Sequence, residues 1–112
     1  MKDFVPYQEA LELKQLGFDE PCFGWFASDR TLVKEVTEKS DFTLAPTYSQ
    51  AFRWFRKKHN LKSCIMFRTS MEDNKEYYDW LIKGQEVVYR HFNTYEEAEL
   101  ACLKKLIDLT KD

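Results

Sequence analysis

The side chains in this sequence best equipped for chemistry are three cysteines, Cys22, Cys64 and Cys102, and two histidines, His59 and His91. Together such groups could hold zinc, or pair a thiolate nucleophile with an imidazole base. Their spacing argues against both. No two stand in the Cys-x2-Cys or His-x3-His pattern that preorganises zinc ligands, and a reactive thiol needs an exposed, activating setting. Cys64 in "SCIMF" and Cys102 in "ELACLKKL" read as small core residues instead. His59 falls in the last turn of an expected helix, where an imidazole bonds free carbonyls and favours the negative helix end.

Carboxylates cluster in "MEDNKE" and "YEEAE", the first a loop and the second a helix start. Acidic groups at a helix N-terminus are explained by the helix dipole. With only three glycines, no phosphate-cradling loop or dinucleotide fingerprint can be assembled. No catalytic, cofactor-binding or metal-ligating residue is therefore assigned, no cofactor is expected, and a non-enzyme is favoured over an enzyme.

The segment "TYSQAFRWFRKKHN" (Thr47 to Asn60) raises a different possibility, because aromatics stand among Arg53, Arg56, Lys57 and Lys58. A single-stranded nucleic acid is gripped by rings and cations sharing one accessible surface. At about 100° per residue, Tyr48, Ala51, Phe52 and Phe55 fall on one stripe with Trp54 at its flank. Arg53, Arg56, Lys57 and Asn60 collect on the opposite side. Rings and cations are segregated, so the rings belong to the core and the candidate basic patch is a solvated face. A nucleic-acid partner is disfavoured rather than excluded.

The bulk numbers agree. Lys+Arg number 17 against 19 Asp+Glu, giving a net charge of -2 and none of the global positive excess usual in a duplex binder. At 112 residues, 44% hydrophobic and 16% aromatic, the chain is expected to be one ordered globular domain spanning 1–112. The N-terminal "MKDFVPYQEA" lacks the apolar run of a secretory signal, and no stretch is long enough to cross a bilayer. An odd number of scattered cysteines fits buried thiols in the cytoplasm, with no membrane partner.

The elements that must position these groups follow from local signals. A helix is expected from Pro6 to Leu16, stopped by Gly17 with Phe18 folded back on Leu13. Strands are expected at Cys22 to Ser28 and Thr31 to Val36, then a loop through "TEKSDFTLAP" to Pro46. The helix opened by the Thr47–Gln50 capping box comes next. Strands follow at Ser63 to Thr69, Tyr77 to Lys83 and Glu86 to Phe92, the last two joined by a tight turn at Gly84-Gln85. Thr94 and Glu97 cap a final helix. The fold class is α+β, a two-layer domain with a mostly antiparallel sheet of about five strands and three helices, in the order α-β-β-α-β-β-β-α.

Two features stand out as means of recognition. The strands carry large groups on both faces: Tyr78, Trp80 and Ile82 alternate with Tyr77 and Leu81, and Phe23 and Trp25 with Cys22 and Phe26. If helices cover one face, an aromatic remainder of the other marks a binding surface, unless a loop folds over it. The last helix is apolar over a wide arc. Beside the stripe of Tyr95, Ala98, Cys102, Leu106 and Leu109 runs a second, Leu100, Leu103 and Ile107, which either packs on neighbouring helices or forms a self-complementary dimer contact.

The blocks "ALELKQLGFDEPCFGWF", "LAPTYSQAFRWFRKKHNL" and "TYEEAELACLKKLIDL" resemble, in the same order, a group of small uncharacterised proteins of bacteroidete bacteria and their phages and prophages. The resemblance implies a compact intracellular domain associated with phages or mobile elements. It implies no activity, cofactor or catalytic residue. The expectation is a non-catalytic module that binds a protein partner or itself as a homodimer.

Overall fold

Where each helix begins and ends is decided by a few residues at its termini. The computed structural model describes residues 4–20, 22, 24–26, 31–33, 43–86 and 90–111. Its elements are α1 (Tyr7–Gln15), β1 (Gly24–Phe26), β2 (Leu32–Val33), β3 (Thr43–Ala45), α2 (Tyr48–His59), β4 (Ser63–Thr69), β5 (Glu76–Ile82) and α3 (Tyr95–Thr110). Pro6 precedes α1 and its carbonyl accepts from the Ala10 amide at 2.9 Å. Gly17 then takes φ +102, a conformation cheap only for glycine. The Gly17 amide donates to the Lys14 carbonyl at 3.1 Å and that of Phe18 to Leu13 at 2.9 Å. That pair of bonds is the Schellman ending expected from the sequence, with both Phe18 and Leu13 buried in the core.

The capping box of α2 is complete. The Gln50 amide donates to the Thr47 hydroxyl at 3.2 Å, and the Thr47 amide donates to the Gln50 side-chain oxygen at 3.0 Å. Asn60 ends the helix in the left-handed region at φ 53. At α3 the Glu97 amide donates to the Thr94 hydroxyl at 3.1 Å, and that hydroxyl donates to the Glu97 carboxylate at 3.2 Å.

The chain is α+β; among the described residues there are three helices and the strand pairing is antiparallel, but the expected single sheet is divided. One sheet has the order β2-β1-β3 and the other is the pair β4-β5. The observed order is α-β-β-β-α-β-β-α. Thr43–Ala45, expected within a loop, pairs with β1, Gly24 opposite Ala45 and Phe26 opposite Thr43. Three residues are too few for a period-2 pattern to register, and Pro46, without an amide hydrogen, ends the strand beside the next cap.

Parts of the other expected strands (Cys22 to Ser28, Thr31 to Val36, Glu86 to Phe92) lie outside the described residues, among them Phe23. From the last of these, Phe92 exchanges two hydrogen bonds with Tyr78, at 2.8 and 2.9 Å, beside a left-handed His91 at φ 58. The tight turn at Gly84-Gln85 is present: Gly84 has φ +89 and the Gln85 amide donates to the Ile82 carbonyl at 3.0 Å.

One buried cluster joins the layers, with Leu13 from α1, Phe26 from β1, Trp54 and Phe55 from α2, Trp80 and Ile82 from β5, and Leu103 and Leu106 from α3. α3 lies across β4 and β5 and also touches α1 and α2, while α1 rests on β3. Val5 donates to the Pro46 carbonyl at 2.9 Å, which ties the residues before α1 to the start of α2.

Candidate functional site

On α2 the physical separation of rings from cations holds. Ala51, Trp54 and Phe55 are at most 2% exposed, and the two rings meet edge to face with centroids 5.0 Å apart. Arg53, Arg56, Lys57 and Lys58 are all exposed. Trp54, expected at the flank of the apolar stripe, lies deeper than Phe52, which is half-buried and stacks on Tyr48. His59 is exposed at the helix end, its ring 4.8 Å from that of Trp54. The cations face solvent, although Arg56 lines a groove together with half-buried Phe52 of the same helix.

The doubled stripe of α3 resolves in favour of packing. Leu103 and Ile107 are at most 1% exposed within this one chain, and Leu100 is half-buried against the same cluster. Leu103 and Ile107 thus follow the packing alternative of the two that the sequence left open for Leu100, Leu103 and Ile107. Tyr95 is the exposed large apolar residue of α3, at 43%, and comes from the stripe expected to be inside.

The β4–β5 hairpin is where large apolar groups meet water. Directly opposed residues share a face in an antiparallel pair. One face therefore carries Ser63, Ile65 and Phe67 opposite Ile82, Trp80 and Tyr78. α3 covers the base of this face, so Trp80 and Ile82 are buried. The cover ends where α3 begins: Tyr78 meets the Tyr95 ring edge-on at 6.2 Å, and Phe67 beyond it is 67% exposed. The other face carries Cys64, Met66 and Arg68 opposite Leu81, Asp79 and Tyr77. There Met66, Tyr77 and Leu81 are half-exposed, and Met71 at the hairpin tip is 99% exposed.

The outer edge of β4 is open as well. The Lys83 amide donates to the Lys62 carbonyl and that of Ser70 to Lys75, so even-numbered residues of β4 bond β5. The amides and carbonyls of Ser63, Ile65, Phe67 and Thr69 then point away from it. Among the described residues no strand pairs with that edge. A groove of about 240 Å³ runs beside it, lined by Ser49, Phe52 and Arg56 of α2, Ser63, Cys64 and Ile65 of β4, and Tyr95 and Glu99 of α3. A shallower depression of about 390 Å³ lies at the hairpin base, between Lys62–Cys64 and Leu81–Gln85.

Asp79 is the unexpected member of the second face, buried at 1% exposure between half-exposed apolar groups. Its Oδ1 accepts from the Arg90 amide at 2.8 Å and the His91 amide at 3.0 Å, fastening the returning chain to β5. Its Oδ2 and the Trp80 indole nitrogen are buried without a hydrogen-bond partner among the described residues. The Arg90 guanidinium sits 5.7 Å over the Trp80 ring, and His91 lies edge-on to Tyr77. His59 and His91 thus each rest against an aromatic ring, and among the described residues no group of three potential ligands could hold a metal ion.

The three cysteines are unpaired and differ in setting: Cys102 is buried, Cys22 half-buried, and Cys64, expected in the core, is exposed on the hairpin. Burial pushes the Cys102 thiol up to about 12, and burial together with the Glu20 carboxylate pushes Cys22 up to about 11. Both stay protonated and poorly nucleophilic at neutral pH. Burial, then Glu99 and Glu9, raises the Tyr48 hydroxyl to about 12. Each group ionises earlier in the unfolded chain, near the ordinary value of 9.0 for a thiol and 10.0 for a tyrosine.

Stability is therefore expected to be full below pH 9 and to fall as pH rises from 9 towards 12, by about 1.4 kcal/mol per pH unit for Cys102 alone. Urea midpoints measured across that range check this. A Cys102→Ala chain should show a shallower fall.

No protein-family model matches the chain, and no curated protein or solved structure is significantly similar to it. Among the described residues no helix is long and apolar enough to cross a membrane.

Proposed function

We propose that this chain is a non-catalytic binding module that meets a protein partner, or a second copy of itself, through the outer half of the β4–β5 hairpin. One observation carries the reading: Phe67, in the middle of an ordered ladder, is 67% exposed. A large ring held bare by regular hydrogen bonding contributes little to the core and keeps apolar area in water until something covers it. Half-exposed Met66, Tyr77 and Tyr78 and the bare Met71 extend that area around the hairpin. The unpaired thiols and the resemblance to small proteins of bacteroidete bacteria and their phages support a cytoplasmic setting, associated with a phage or mobile element.

A photoactivated cross-linking residue placed at position 67 tests the proposal in living cells. Protein adducts should form from position 67 and not from position 14, an exposed site on α1. A chain that gives no protein adduct from position 67 rejects the reading.

A second reading has one observation in its favour. Arg56 shares its groove with Phe52 and Tyr95, which sets a cation beside two rings as a single-stranded nucleic acid would require. Glu99 lines the same groove and opposes a phosphate. Retention on single-stranded DNA or RNA that weakens steeply with salt favours this reading, and no retention at low salt dismisses it.

A further inference from the structure

We infer that the occupant of the hairpin is a second copy of this chain, joined by antiparallel pairing of β4 with β4 about Met66, with each Phe67 seated in the other copy's α2–α3–β4 groove. The inference rests on the hairpin being the contact surface and adds the partner and the register.

The hydrogen-bonding phase of the edge permits this register and forbids its one-residue neighbours. The outward residues are Ser63, Ile65, Phe67 and Thr69. A two-fold axis through Met66 sets Ser63 opposite the partner's Thr69 and Ile65 opposite the partner's Phe67. Every outward residue thus meets an outward residue, and the free amides and carbonyls of both strands are used together. Shifting one copy by a single residue would oppose outward to inward groups and lose the ladder.

Side chains fit the same arrangement. The partner's Phe67 would lie beside Ile65 on the face of the sheet that bears α3. Ile65 lines the 240 Å³ groove with Phe52 and Tyr95, so the most exposed ring of the hairpin lands in an aromatic groove. Arg68, the one charged residue in β4, faces the partner's Cys64 rather than another cation.

Charge is complementary beyond the strand. The hairpin tip carries Glu72, Asp73 and Glu76 against one lysine, Lys75. Continued one residue past Ser63, the pairing sets Ser70 opposite the partner's Lys62, so this acidic tip approaches that lysine. β4 also lacks the proline, lysine or bulge with which exposed edges are usually protected. Pairing two β4 edges consumes both at once, so the assembly closes at two copies.

The test reads the register directly. Across the two-fold axis the Met66 positions form a non-hydrogen-bonded pair, with Cα atoms about 4.5 Å apart, within disulfide reach. In a Cys64→Ser chain, Met66→Cys should give a covalent dimer on mild oxidation, and Thr69→Cys should not, because that position faces the partner's Ser63. Phe67→Asp, at an exposed position that folding does not need, should weaken the dimer by roughly tenfold or more in sedimentation equilibrium.

A dimer that cross-links through position 69 and not 66 overturns the register. A strict monomer overturns the inference. If that monomer still forms adducts with another protein from position 67, the hairpin remains the contact surface and only its occupant is wrong.

Discussion

Phe55→Ala should lower the stability of the fold by about 3–5 kcal/mol, the loss expected when a fully buried ring leaves a cavity that its neighbours cannot close. Phe55 is 0% exposed and touches Trp54 and His59 through its ring. Changing Arg53, Arg56, Lys57 and Lys58 to glutamine should cost no more than about 0.5 kcal/mol each, since every one of them is exposed. Urea denaturation of the five variants makes the comparison. The contrast is what the separation of rings from cations on α2 means energetically. A Phe55→Ala chain as stable as the parent would show that the ring is not in the core, and would return α2 to contention as a nucleic-acid surface.

Asp79→Ala should cost roughly 2–3 kcal/mol, because it strips the acceptor from two backbone amides, those of Arg90 and His91. The loss should be local as well as global. Amides 90–92 should exchange faster even under conditions where α2 and α3 stay protected, because Asp79 fastens this stretch to β5 beside the Tyr78–Phe92 bridge. Asp79→Asn keeps an oxygen acceptor at the same place and should lose less than half as much. Equal losses in the two variants would mean that the negative charge, and not the hydrogen bonds, matters at this site.

The helices were legible in the sequence because their signals are local. Thr47 with Gln50, Thr94 with Glu97, and Gly17 before Phe18 each specify a terminus within four residues. The Gly84 turn was legible for the same reason. Sheet membership was not, because pairing is a long-range choice. Nothing near Thr43–Ala45 marks it as the partner of β1 rather than a loop.

The α3 arc shows the limit from another side. Periodicity reveals that Leu103 and Ile107 are apolar, but not whether a helix of the same chain or a second molecule covers them; here the same chain does. The hairpin was visible as a two-faced aromatic sheet. Its open edge was not, since the phase of the hydrogen bonds and the point where α3 stops covering Tyr78 exist only in three dimensions. Asp79 did leave a signal, a lone carboxylate in "YYDWLI", that the alternation of large residues obscured.

Amide hydrogen exchange along β4, followed as concentration rises, puts the most direct question to the molecule. In dilute solution the amides of Cys64, Met66 and Arg68 should be protected by β5, while those of Ile65 and Phe67 exchange freely. When contact is made, Ile65 and Phe67 should slow to match them. Should those two amides be protected already in the dilute chain, or stay unprotected when the protein is concentrated and when every cellular partner is supplied, the open edge is not where this protein binds.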